Sequence, residues 1–197
     1  MAERTLFVLI GAGASHDCAS DVLRKKSAWD LQPPLVTDLF APRFTHVLSR
    51  YPLAQMAAST IRSHRGSSMA LERFLREEFR DSSHALDRRK FHAIHFYFQD
   101  LLHEISCDYA EHPDNYDRLI EATERLPRVV YISLNYDTLL DDRLRIVDPD
   151  GLNKIDDYCN PDRSWSLLKP HGSVDWVQRL SEPPHVLGPN FAIQPPA

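Results

Sequence analysis

A chain of 197 residues, 43% hydrophobic and 26% charged, is long enough to bury one sizeable core and has an ordinary globular composition. Its formal net charge of −5 offers no general pull toward nucleic acid or an anionic membrane, and no apolar run approaches the ~20 residues needed to span a bilayer. Cys18, Cys107 and Cys159 stand far apart, which suggests neither a disulfide framework nor a zinc ribbon. Glu3-Arg4 precede only six strongly apolar residues, too few for a signal peptide, so the cytoplasm is the expected compartment.

Thr5 to Ile10 is a short run of β-branched, aromatic and other apolar residues and reads as a buried strand. It ends at Gly11-Ala12-Gly13-Ala14-Ser15, where glycines one residue apart allow a sharp turn, positive φ and a close ligand. A strand feeding such a turn, with a helix after it, aims backbone N–H groups at a phosphate. The match to G-x-G-x-x-G is partial, because the last position is His16; a tight turn after a strand would explain the same residues. Asp30 stands about 20 residues further on, the place of a ribose-binding acid, but follows no apolar strand and is not given that role. Pro33-Pro34 opens a short helix with Leu35, Leu39 and Phe40 on one side.

From about residue 53 to 126 the chain reads as helical. Leu71, Phe74, Leu75 and Phe79 recur at helical spacing, as do Leu86, Phe91, Ile94, Phe98, Leu101, Leu102 and Ile105. Asp114 is placed to cap a further helix carrying Tyr116, Leu119, Ile120 and Leu126. His92, His95 and His103 share a side of the predicted helix but lack an added carboxylate or cysteine, so a solvated face is preferred to a metal site. Arg62, Arg65 and Arg88-Arg89-Lys90 read as solvated helix surface. Arg128 to Leu134 returns to strand, and Asn135-Tyr136-Asp137 leads into a helix through Leu139, Leu140 and Leu144. Residues 148–163 are acidic and turn-rich without the EF-hand pattern, and read as a surface loop. Trp165 to Lys169 is a third short strand, ending at Pro170-His171-Gly172-Ser173. From Pro183 to Ala197 five prolines predict an extended tail.

Three motifs thus fall at the ends of three predicted strands: the glycine turn, Asn135-x-Asp137 and His171-Gly172-Ser173. In this order, between about residues 5 and 176, they resemble the sirtuin-like family, and in particular its divergent branch of NAD-consuming domains in bacterial anti-phage defence. The resemblance implies an α/β, Rossmann-like three-layer fold with a parallel sheet and a helical insertion over 53–126, one domain over 1–182, and a tail over 183–197. It implies NAD+ as substrate, and a homo-oligomer or larger defence complex with sensor domains or partners. No nucleic acid, membrane or metal is expected: protein-deacylating sirtuins add a zinc module with two Cys-x-x-Cys pairs, and this chain has no such pair.

The implied reaction is hydrolysis of the nicotinamide–ribose bond, whose transition state resembles an oxocarbenium ion. Gly11, Ala12, Gly13, Ala14 and Ser15 would hold the pyrophosphate, with the Ser15 hydroxyl as an extra donor. His171 suits a proton acceptor, since an unperturbed imidazole titrates near working pH. Asn135 would orient a water or a ribose hydroxyl. Asp137 would contact the carboxamide or offset developing positive charge, and Gly172 and Ser173 would complete the cofactor site. Asn135 as a cap of the following helix, Asp137 at that helix's positive end and His171 as a plain turn residue are the alternatives. At the level of function, the alternatives are a non-catalytic NAD or ADP-ribose binding module, an NAD-dependent deacylase and, less well matched, a dehydrogenase.

Overall fold

The computed structural model describes residues 4–18, 32–64, 70–109 and 114–176. Strand β1 (Thr5–Ile10) runs into α1 (Ala12–His16). Two 3-10 turns follow, Val36–Asp38 and Pro42–Phe44, then α2 (Thr45–Leu48) and α3 (Pro52–Ser63). Next come α4 (Leu71–Leu75), continued by a π turn over Arg76–Arg80, α5 (Ala85–Tyr109) and α6 (Asp114–Thr123). Strand β2 (Arg128–Ser133), α7 (Leu139–Val147), a 3-10 turn (Ile155–Cys159) and β3 (Trp165–Leu168) complete the described chain.

The sheet is parallel, in the order β1-β2-β3, with Thr5 opposite Arg128 and Val129 opposite Trp165. Both connections step in the same direction across the sheet. Right-handed crossovers, the near-universal hand, then put every intervening helix on one face. The burial follows this rule except at Leu6, 40% exposed on the covered face, and Ser166, buried on the other. Ile10, Val129, Tyr131, Ser133 and Leu167 point to one face and are buried, and the Tyr131 hydroxyl is hydrogen-bonded to Thr123 of α6 at 2.5 Å. Phe7 and Leu9 point to the other and are 65% and 70% exposed, with Val130, Ile132 and Leu168 half-buried beside them. Among the described residues the fold is therefore a mixed α/β arrangement with one face of a small parallel sheet well covered, a coarser result than three full layers.

The helical region owes its packing to α5. Ile94, Tyr97, Leu101 and Ile105 recur at three- and four-residue spacing, and all four are buried. Phe40 and Tyr51 rest on the Tyr97 ring, whose hydroxyl donates to the Leu39 carbonyl at 2.5 Å. Pro52 sits in the first turn of α3, where its missing N–H would have had no helical partner.

Several expectations change. The segment after Pro33-Pro34 forms 3-10 turns rather than an α-helix. The 148–163 stretch is more than a surface loop, because Leu152 and Tyr158 are buried. Gly11 has φ −121°, and Gly172 is the glycine with positive φ among those described, at 88°. The polypeptide leaves β1 in extended conformation and turns directly into a helix, which demands no left-handed residue. Asp30, Arg65 and the proline-rich 183–197 stretch lie outside the described residues.

Candidate functional site

In a parallel sheet the strand carboxyl ends present turns at one rim, and ligands bind there. The three motifs occupy the ends of β1, β2 and β3. Gly11 is the N-cap of α1 and Ala14 closes the first turn by donating its N–H to the Gly11 carbonyl at 2.9 Å. Gly11, Gly13 and Ala14 are exposed and Ala12 is half-buried. Among the described residues, a Cβ built on Gly11 or Gly13 would meet nothing within 4 Å. Among these residues the space over both glycines is open, and neither packing nor backbone requires glycine there.

Beneath this open turn lies a closed hydrogen-bond cluster. The Asn135 amide nitrogen donates to the Gly11 carbonyl at 3.1 Å and to Ser15 Oγ at 2.8 Å. The Tyr116 hydroxyl lies 2.8 Å from the same Ser15 oxygen, and the Ser15 hydroxyl favours the charged form of the nearby Asp137 carboxylate. Ser15 Oγ accepts from Asn135 and shares a second hydrogen bond with the Tyr116 hydroxyl. All four residues are buried. The end of β1 and the end of β2 are thus joined through side chains as well as through the strand ladder.

This arrangement alters three expected roles. The Ser15 hydroxyl faces inward and is spent, so a phosphate at the turn would meet backbone N–H groups. Both amide hydrogens of Asn135 are committed, which leaves its carbonyl oxygen for a water or ribose hydroxyl. Asp137 lies under the site: its Oδ1 accepts the Leu139 N–H at 3.2 Å at the start of α7. That is the helix-end contact considered for Asp137, whereas Asn135 does not cap the helix; the N-cap residue is Thr138. Burial pushes the Asp137 carboxyl above its ordinary value, against the Ser15 bond and the nearby Lys169 charge. Burial and the Asp137 charge likewise raise the Tyr116 phenol.

His171 is exposed at the tip of the neighbouring turn, its ring 5.8 Å from that of Tyr136. The two turns are tied by the Val174 N–H, which donates to the Tyr136 carbonyl at 2.9 Å. Gly172 uses its positive φ to reverse the chain, and its N–H donates to the Lys169 carbonyl at 2.9 Å. Ser173 Oγ accepts from Lys169 Nζ at 2.9 Å. Gly11, Ser15, Asn135 and Tyr116 therefore form one bonded group with Asp137 beside it, while His171, Gly172 and Ser173 form an adjoining turn. Elsewhere, the His95 ring is bonded to the Phe91 carbonyl and His103 lies 3.7 Å from Cys107 on α5. Among the described residues no three metal-ligating side chains converge.

Tyr116 and Lys169 carry no motif and are not singled out by sequence reasoning. Tyr116 looks like one more core position of an amphipathic helix. Lys169 had a visible signal, a lysine closing an apolar strand just before Pro170-His171. No protein-family model, curated protein or solved structure matches this chain.

Proposed function

We propose that this chain is a sirtuin-like NAD+ hydrolase that cleaves the nicotinamide–ribose bond. The observation that carries the reading is the pairing of an open glycine turn with Asn135 fixed directly beneath it. The pyrophosphate would lie over Gly11 and Gly13, against the N–H groups at the start of α1. A water attacks the ribose C1′ while the C–N bond breaks, and that bond pair leaves with neutral nicotinamide. Asn135 orients the water or a ribose hydroxyl through its amide oxygen, and the exposed His171 takes the proton lost by the water. Asp137 acts from below by holding the start of α7. The described sheet would be one part of a Rossmann-like three-layer fold, with the helices of 53–126 as an insertion within one domain of 1–182. Cytoplasmic depletion of NAD within an oligomer or a larger bacterial defence complex is the corresponding biological role.

One observation favours a second reading. Ser15, Asp137 and both amide hydrogens of Asn135 are satisfied internally, as a rigid, non-catalytic NAD or ADP-ribose binder would have them. Incubation with NAD, with and without an acetylated peptide, separates the readings when nicotinamide and ADP-ribose are followed by chromatography. Release without peptide, lost in Asn135→Ala and His171→Ala, is the expected result. Binding without release selects the binding module, release only with peptide selects a deacylase, and absence of NAD binding defeats the site.

A further inference from the structure

Lys169 is a buried cation at the end of β3. Its side chain is 0% exposed and that of its ion-pair partner Asp141 is 1% exposed, with Nζ 3.0 Å from Oδ2. An ammonium has three protons to place, and here each finds an acceptor. The other two are the Asp137 carbonyl at 2.6 Å and Ser173 Oγ at 2.9 Å. The three acceptors belong to three separate pieces of chain: the turn after β2, helix α7 and the turn after β3. Asp141 is held in its own right, since its Oδ1 accepts the Tyr158 hydroxyl at 2.8 Å.

Stability alone gives little reason for such a pair. Desolvating two charges offsets much of their attraction, and well-packed apolar residues of similar volume usually hold a fold at least as well. An ammonium does what an apolar side chain cannot: it fixes three oxygens at set distances and directions. The two turns that it joins carry Asn135 and His171. Lys169 also grips its own turn from both ends, through its carbonyl to the Gly172 N–H and through Nζ to Ser173.

We propose that Lys169, held by Asp141, is a positioning residue that sets the His171 turn against the Asn135 turn. What this geometry serves rests on the NAD-hydrolase reading; the pinning itself does not. The test uses the whole chain carrying Lys169→Met with Asp141→Asn, so that residue 141 is not left as an unpaired charge and still accepts from Tyr158. Two quantities are read: backbone amide exchange, and kcat and KM for NAD. Exchange at Gly172 and Val174 should rise at least about tenfold while Val129 to Ile132 in β2 stays unchanged; kcat should fall at least about tenfold with KM within about threefold, as for a misplaced reacting group. Unchanged exchange at Gly172 and Val174 overturns the pinning. So does a rise that extends equally through β2, which would mark general destabilisation. A KM effect without loss of kcat overturns the positioning role. Should the double variant fail to fold, Ser173→Ala removes one acceptor without stranding a charge and takes the same readouts. If the native chain releases no nicotinamide, the hydrolase reading falls by itself and the exchange pattern still decides the pinning.

Discussion

The four described glycines answer to different forces. Gly151 is needed for space: a Cβ there would lie 2.8 Å from the Asp148 carbonyl and from the Trp165 ring. Gly172 is needed for its φ of 88°, since the nearest atom to an added Cβ is an unstrained 3.9 Å away. Gly11 and Gly13 are needed for neither. Gly13 lies within α1, where alanine is the better helix former by about 1 kcal/mol. Gly13→Ala should therefore leave the melting temperature unchanged or higher, yet weaken NAD binding in a calorimetric titration. Gly172→Ala should cost about 1–2 kcal/mol in chemical denaturation through left-handed strain. If Gly13→Ala bound NAD normally, the phosphate role of the turn would be lost.

Asp137 supplies a prediction at the same scale. Burial raises its folded-state pKa above the ordinary carboxylate value of 3.8, so the folded chain holds this proton more tightly than the unfolded chain. In the window between those two values the folded state binds more protons, and stability falls as pH rises. Each tenfold difference in proton affinity is worth about 1.4 kcal/mol. Asp137→Asn keeps an acceptor for the Leu139 N–H but removes the titration. Urea denaturation from about pH 4 to 7 should show the native chain losing stability relative to the variant as pH rises. The opposite slope would mean that Lys169 and the Ser15 bond outweigh desolvation.

At the scale of elements, α5 organises the helical half while the turns after the strands organise the site. The apolar residues of α5 range from buried to exposed. Leu101 is 1% exposed and Phe96 61% exposed, although both are large apolar side chains on one helix. Leu101→Ala should cost about 2–5 kcal/mol by leaving a cavity, whereas Phe96→Ala should stay within about 0.5 kcal/mol. Equilibrium denaturation of the two variants side by side checks the orientation of the helix. Similar costs at both sites would mean that Phe96 is covered in solution.

At the scale of the whole molecule, topology leaves β1 at the edge of the described sheet with one side bare. Phe7 and Leu9 bury little area in this arrangement and so contribute little to folding. Replacing both with Thr should change the unfolding free energy by no more than about 1 kcal/mol, and should reduce binding of an apolar dye such as ANS. A loss of several kcal/mol would show that another surface covers them. This face matters to the site because Gly11 ends the same strand, so the exposed side chains adjoin the glycine turn.

Strands and long helices were legible from local pattern. The 5–10 and 128–133 strands follow from short apolar runs, although only Ile10 of the first is buried, and the helix stripe through Ile94, Leu101 and Ile105 follows from side-chain period. The three motifs could be found the same way, because each follows an apolar run. What the sequence did not carry is which atoms of those motifs face outward. Ser15 turns inward because Tyr116, 101 positions away, and Asn135, 120 away, arrive at its hydroxyl. Lys169 becomes a buried tie only when Asp141 and Ser173 meet it. Period and propensity act between near neighbours, whereas a buried polar group takes its partners from whatever distant chain the fold brings within hydrogen-bond reach. Local sequence therefore determined the strands, the main helices and the turns; the tertiary structure decided the bonding inside the site and the unequal covering of the sheet.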